Sequence, residues 1–168
     1  LALSTASLAA QQTVQVHPGK GGSPHVKTSW TLDGAAISIE YGRPSMKGRA
    51  EAQLMPPGQP WRIGADEATT IVTDKPLKFG ALSVPAGTYS LYAVPGATSW
   101  QLIINKTTGK WGVPYPGEAS DLGRAPMTIG KTSAPVEMLT ISIQDTPAGA
   151  TLHIEWGMTR ASIPFTVG

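Results

Sequence analysis

The residues with the greatest chemical potential in this chain lie between Ile37 and Thr70. Two runs within this segment, ISIEYGRPSMKGR and PWRIGADEATT, mix basic groups, carboxylates, glycines and aromatic residues. Only 14% of the chain is charged, so this segment is a local concentration of charge. Its basic residues are Arg43, Lys47, Arg49 and Arg62, and its carboxylates are Glu40, Asp66 and Glu67.

Paired acid and base catalysis is one chemistry open to the charged segment. Asp66 and Glu67 lie close to Arg62, and two carboxylates in different environments can hold different protonation states, as a hydrolase requires. Adjacent residues of an extended chain point to opposite faces, however, so these two would not reach the same substrate atom. We therefore assign no catalytic residue.

Anion binding is a second chemistry, and structural ion pairing is a third. The basic side chains of residues 42–49 could cradle a phosphate or carboxylate while the glycines let the backbone approach it. The GxxxxGK[ST] spacing of a phosphate loop is absent. We favour ion pairs between these cations and Glu40, Asp66 or Glu67, which would order the loop and leave no positive field for a ligand.

Metal and nucleophile chemistry find little support in the residue pattern. The chain has no cysteine, and His17, His25 and His153 do not show the spacing of a known ligand set. No GxSxG elbow is present to activate a serine. We therefore expect no metal, no cofactor and no enzymatic activity.

Several motifs resemble one bacterial family over most of the chain. In order from about Ser23 to Val167 these motifs are YGRPSMKGR, WRIGADEATT, VPAGTYSLYAVPG, WQLIIN and HIEWGMTRASIPF. They resemble the bacterial domain of unknown function 2911, a family of exported β-rich proteins with no assigned reaction. The family usually has Asn where Asp66 stands and a hydrophobic stretch with Phe-Gly at residues 50–53. These departures are compatible with a structural role.

Composition and hydrophobic period both predict an all-β domain. The 168 residues suit one domain, and Gly 19, Pro 15 and 40% hydrophobic residues fit short strands joined by tight turns. From Thr28 onward the period is two, with a hairpin predicted at Asp33-Gly34 and Ile37, Ile39 and Tyr41 on one face. We predict an antiparallel β-sandwich or barrel-like domain of about eight to nine strands. The further strands are 69–74, 76–80, 88–94, 99–105, 136–144, 151–157 and 161–167, with at most a helical turn near 47–53.

The first 27 residues differ in composition from the predicted domain, residues 28–168. Residues 1–10, LALSTASLAA, resemble the end of a secretory signal because Ser7-Leu8-Ala9 has the small-x-small pattern of a cleavage site. We expect this leader to stay attached and to be held by another protein or by lipid. Residues 11–27 are rich in glycine and proline and predict an extended arm. This arm either lies on a partner or folds back as an edge strand through Val14 and Val16.

Two aromatic residues outside the predicted strands are candidates for contacts with a ligand or a partner. Trp100 and Trp156 alternate with aliphatic residues and are predicted to be core. Trp111 and Tyr115 lie in the proline-containing loop KWGVPYPGE, where they could stack on a sugar ring or form a protein interface.

These observations favour a non-enzymatic periplasmic accessory subunit that docks through its N-terminal arm onto a larger membrane-associated complex, such as a respiratory or photosynthetic assembly. The net charge of +2 is spread along the chain, so nucleic acid is not expected as a partner. A small-ligand or carbohydrate-binding module and a hydrolase remain the alternatives. The residues expected to contact the partner are Leu1, Leu3, Leu8, Val14, Val16, His17, Trp111 and Tyr115.

Overall fold

Strands dominate the chain, in agreement with the period of two in its sequence. A computed structural model describes residues 11–168, so the predicted leader and its contacts Leu1, Leu3 and Leu8 lie outside the described residues. The helical segments are α1 (Glu51–Leu54) and a 3₁₀ turn at Glu118–Ser120. The strands are β1 (Gln11–His17), β2 (His25–Leu32), β3 (Ala35–Gly42), β4 (Thr70–Thr73), β5 (Leu77–Phe79), β6 (Leu82–Val84), β7 (Gly87–Val94), β8 (Trp100–Asn105), β9 (Asp121–Thr146) and β10 (Gly149–Val167).

The strands form one antiparallel sheet of ten strands in the order β1-β2-β3-β4-β7-β8-β9-β10-β5-β6. The long strand β9 pairs with β8 through its first part and with β10 through its remainder, so it runs from one half of the sheet into the other. Both halves bury apolar side chains in a common core. The predicted all-β, sandwich-like class is confirmed, with ten strands where eight to nine were expected.

Alternating side chains of β3 meet the second half of the sheet across the core. Ile37 and Ile39 are at most 1% exposed, and the hydroxyl of Tyr41 accepts a hydrogen bond of 3.0 Å from the backbone N–H of Ile141 in β9. Trp100 and Trp156 are also buried, as predicted. Burial of this many apolar side chains provides the main driving force for the fold.

The predicted hairpin at Asp33-Gly34 is confirmed. Both residues have positive φ, 48° and 81°, and Leu32 pairs with Ala35, so the loop has two residues. This geometry matches a type I′ turn, whose twist suits the right-handed twist of the flanking strands.

The N-terminal arm folds back onto the domain as an edge strand, which was one of its two predicted arrangements. Strand β1 pairs antiparallel with β2, whose first residues are His25 and Val26. Val14 and Val16 nevertheless remain 58% and 49% exposed. Among the described residues, no helix is long and apolar enough to span a bilayer.

Candidate functional site

The segment from Trp61 to Thr69 is the structural centre of the charged region. Trp61 and Ala93 of β7 exchange two backbone hydrogen bonds, of 2.7 and 2.9 Å. At the other end of the segment, the carbonyl of Thr69 accepts the backbone N–H of Leu91 of β7 at 2.8 Å, and its buried hydroxyl donates to the carbonyl of Ile63 at 2.7 Å. We call this segment the anchored loop, because these bonds hold both of its ends.

The anchored loop has an unfavourable backbone conformation at two positions. Ile63 has φ of 47°, a region that β-branched residues rarely adopt, and Asp66 has φ of 64°, which aspartate adopts more readily than most residues. The loop also passes close to the end of β3, where a Cβ atom on Gly42 would lie 2.4 Å from the carbonyl oxygen of Ala65. Such conformations persist only where the surrounding contacts hold them in place.

Two histidines and two glutamates meet on the outer face of the sheet and form the histidine–glutamate cluster, which comprises His17, His25, Glu40 and Glu67. His17 Nε2 lies 3.0 and 3.1 Å from the two carboxylate oxygens of Glu67. The rings of His17 and His25 are stacked, with centroids 4.6 Å apart and planes 6° apart. The sequence spacing of the histidines, which did not match a known ligand set, thus gave no indication that these two lie in contact.

Strand pairing explains why the two histidines meet. His17 at the end of β1 is the register partner of His25 at the start of β2, and a register shift follows Gln15. The intervening PGKGGSP run reverses the chain. This run between two histidines was the signal in the sequence, since residues that flank a reversal in an antiparallel pair become neighbours.

His25 is the most buried member of the cluster and has an unusual environment. It is 3% exposed, and its Nδ1 lies 3.3 Å from a carboxylate oxygen of Glu67 without the geometry of a hydrogen bond. Its Nε2 lies 3.9 Å from the carboxylate of Glu40. Burial raises the pKa of Glu67, but its own backbone N–H and the His25 and His17 rings outweigh burial and hold the pKa below its usual range.

His17, His25 and Glu67 are the described residues that could hold a metal ion, since their ligand atoms lie within 4.8 Å of one another. Two features oppose coordination in the observed arrangement. The stacked rings hold their nitrogen lone pairs in two separate, nearly parallel planes, whereas a zinc site requires the lone pairs to converge on one point. In addition, His17 Nδ1 accepts the backbone N–H of Gly19 at 3.0 Å, which leaves the proton on Nε2 facing Glu67. The arrangement fits a hydrogen-bonded tether between β1 and the anchored loop.

The ion pairs predicted between the carboxylates and the arginines are wrong for the described residues. Glu40 and Glu67 face the histidines, while Asp66 accepts the backbone N–H of Lys20 at 3.1 Å. Arg43 instead donates to the carbonyl of Leu139 and to Thr140, at 2.9 and 3.0 Å. The carboxylates thus contact the N-terminal segment, and the hydrogen bonds of Arg43 connect the end of β3 to β9.

Three of the predicted cations line a cleft beside the anchored loop, which we call the cation cleft. The cleft has a volume of about 570 Å³ and is bordered by Lys47, Arg49 and Arg62. Among the described residues, Asp66 is the carboxylate that borders it. The side chain of Arg62 packs against Gly112. Burial raises the pKa of Tyr92, and the positive charge of Arg62 partly offsets that rise. A second carboxylate, Glu137, accepts the backbone N–H of Lys47 beside the cleft at 2.9 Å. The three cations that border the cleft still outnumber the carboxylates, so the field in the cleft is positive.

The two aromatic candidates differ in their surroundings. Trp111 is 40% exposed, and Lys20 Nζ lies 5.1 Å from its ring centroid, a cation–π distance. The Tyr115 hydroxyl donates to Asp121, and its ring packs edge-on against Tyr92. Tyr115 thus helps to build its own loop, and Trp111 is the more accessible of the two.

Fold and site together define an all-β, sandwich-like protein with a tethered edge strand and a positively charged cleft. The chain belongs to the family described as protein of unknown function DUF2911, whose model matches residues 23–165. The resemblance carried by the sequence motifs is thereby confirmed. No curated protein and no solved structure matches the chain.

Proposed function

We propose that this protein is an extracytoplasmic accessory subunit that docks through β1 onto a larger membrane-associated complex, such as a respiratory or photosynthetic assembly. The occupant of the docking edge is an extended segment of a partner subunit, which adds one more strand to the sheet. The proposal rests on a single observation, which is that β1 is an edge strand without the usual protection.

Edge strands expose unpaired backbone groups, and proteins normally protect them with charged residues, proline or short length. Strand β1 has seven residues, QQTVQVH, and contains no lysine, arginine, acidic residue or proline. At about 3.3 Å per residue it offers an edge of about 23 Å. Val14 and Val16 add exposed apolar surface to this edge.

The contacts of β1 with the domain support a preorganised docking edge. Gln11 accepts a hydrogen bond of 3.2 Å from the indole N–H of Trp30, and the hydroxyls of Thr13 and Thr28 lie 3.0 Å apart. His17 binds Glu67 at the other end of the strand. Because β1 is already ordered, a partner strand would lose less conformational entropy in binding than it would against a mobile arm.

The docking experiment compares two exposed valines in the full-length chain. Val14→Lys places a charge on β1, and Val72→Lys places one on β4, whose residue 72 is 42% exposed but lies on an interior strand. Membranes of the native host are extracted in mild detergent and separated by size, and each tagged variant is located by mass spectrometry. We expect the wild type and Val72→Lys to migrate with a large complex and Val14→Lys to migrate alone.

Three outcomes would overturn the docking proposal. The first is a wild-type chain that migrates alone, and the second is a Val14→Lys chain that stays with the complex. The third is a wild-type dimer that Val14→Lys dissociates, because the occupant of the edge would then be a second copy of this chain.

A further inference from the structure

We infer that the cation cleft binds a small, multiply charged anion, namely a molecule that carries a phosphate group. This inference goes beyond docking through β1 and depends on different residues. A volume of about 570 Å³ suits a small molecule, since ligand sites commonly range from about 300 to 1,000 Å³.

The charges of the cleft are not neutralised by the protein. Within residues 11–168, Lys47, Arg49 and Arg62 form no ion pair with a carboxylate, whereas Arg124 and Arg160 elsewhere in the chain do. Asp66 borders the cleft, but one of its oxygens accepts the Lys20 backbone N–H. The Glu137 carboxylate lies beside Lys47 and accepts its backbone N–H at 2.9 Å, yet it forms no ion pair with the Lys47 ammonium group. Uncompensated cations that converge on one concave surface favour an anion there.

The arginines are also held in position before any ligand arrives. Arg49 donates from Nε to the carbonyl of Met46 at 3.0 Å and from Nη2 to the carbonyl of Ser45 at 2.7 Å. These acceptors are neutral, so they orient the guanidinium without cancelling its charge. The stem of Arg62 lies against Gly112, where an added Cβ would come within 2.8 Å of its Cδ. A planar guanidinium that is fixed in this way suits phosphate oxygens.

Backbone strain is concentrated around the same cleft. Lys47 and Asp66, which border it, and Ile63 between them in the anchored loop have φ of 50°, 64° and 47°. Strain that the surrounding contacts hold in place is common at ligand sites, where it sets the positions of side chains.

The walls of the cleft suit the remainder of such a ligand. Trp61 and Trp156 border it, and their rings stack with centroids 5.9 Å apart. Both indoles are largely buried, so only a small apolar part of each is accessible from the cleft. The cleft offers cationic side chains to a ligand and lacks the glycine-rich loop whose successive backbone N–H groups bind the phosphates of a nucleoside triphosphate. A compact phosphorylated molecule is therefore the better fit.

Titration calorimetry of the full-length chain at low ionic strength, with pyrophosphate as the probe, tests the inference. We expect saturable one-to-one binding that weakens as salt is added. Lys47→Gln and Arg62→Gln should each weaken it at least tenfold, and Arg62→Lys should weaken it less because the charge remains. Lys131→Gln, at an exposed lysine of β9 outside the cleft, is the matched control, and Val14→Lys should also leave binding unchanged.

Vesicles distinguish a free phosphate from a lipid headgroup. If phosphatidic acid vesicles bind the chain and pyrophosphate competes with them, the natural anion is a headgroup; if pyrophosphate binds and the vesicles do not, it is a free molecule. A dissociation constant for pyrophosphate weaker than about 1 mM would overturn the inference. Equal affinity in the Lys47→Gln variant would overturn it as well, because Lys47 is an exposed turn residue whose side chain forms no ion pair within residues 11–168, so we expect the variant to fold.

Discussion

The anchored loop and the β9–β10 hairpin both carry charged side chains but use them differently. In the hairpin, Arg160 pairs with Glu155 at 3.1 Å, and both ring nitrogens of His153 have hydrogen-bond partners in Ser162 and Gln144. In and beside the anchored loop, cations lack carboxylate partners and the backbone adopts left-handed conformations. The hairpin uses its charges to stabilise itself, whereas the cleft beside the loop keeps Lys47, Arg49 and Arg62 available. Charge pairing thus separates the structural part of this molecule from the part that we propose binds a ligand.

The largest expected effect comes from Gly42, which ends β3 beside the anchored loop, and Gly130 in the hairpin is its control. In Gly42→Ala the new Cβ would lie 2.4 Å from the carbonyl oxygen of Ala65, so the anchored loop must shift. We expect a loss of about 2–3 kcal/mol in the free energy of unfolding, measured by urea titration. Gly130→Ala in β9 meets no atom within 4 Å and should change the stability by less than about 0.5 kcal/mol. Equal effects of the two changes would contradict the close approach seen at Gly42.

Replacement of a lysine by glycine should change the free energy of unfolding in opposite directions in the two regions. Lys47→Gly at φ 50° removes a left-handed penalty, and we expect the unfolding free energy to rise by about 1 kcal/mol. Lys131→Gly within β9 increases the conformational entropy of the unfolded chain, so the free energy of unfolding should fall by about 0.5–1 kcal/mol. The same urea titration measures both variants. A loss of stability in Lys47→Gly would mean that its backbone is not strained.

Removal of one carboxylate charge should matter more at the tether than in the hairpin. Glu67→Gln weakens the bonds to His17 and His25, so we expect a loss of about 1 kcal/mol and faster hydrogen exchange in β1. Glu155→Gln breaks a pair whose arginine is 46% exposed and should cost about 0.5 kcal/mol or less. Unchanged exchange in β1 would show that Glu67 does not hold this strand.

The smallest expected effects are changes in the free energy of unfolding with pH, in two separate pH ranges. Burial and the charge of Arg160 lower the pKa of His153 against the opposing effect of Glu155, so the folded state favours the neutral ring. Stability from His153 is present above about 6.5 and is lost as the pH falls from there toward the lowered folded pKa. The pKa of Glu67 is also lowered, so its contribution is lost as the pH falls below about 4.5. Urea titrations over this pH range should show that His153→Gln removes the first dependence and Glu67→Gln the second.

Much of the fold could be predicted from local patterns. The Asp33-Gly34 turn, the alternation of Ile37, Ile39 and Tyr41, and the strands around residues 88–94 and 100–105 are all present. The first part of β9 was missed, because Asp121 to Pro135 contains glycines and prolines that weaken a strand signal. Pairing of this part with β8 overrides the weak local preference.

The candidate site could be predicted in part. The sequence identified the charged segment, but it suggested ion pairs between Arg43, Arg49 or Arg62 and the nearby carboxylates. Proximity in sequence does not determine which face a side chain occupies, and the tertiary structure directs Glu67 toward His17, fifty residues away in the chain.

The sequence by itself determined the fold class, the main turns and the charged segment, because alternation, glycine positions and composition act over a few residues. The tertiary structure alone decided the strand order, the contact of His17 with Glu67 and the lack of carboxylate partners for Lys47 and Arg62 among the described residues. These features depend on how distant strands and loops pack around a shared core. Such long-range contacts arise from the free energy of the whole chain and leave no local pattern in the residues that make them.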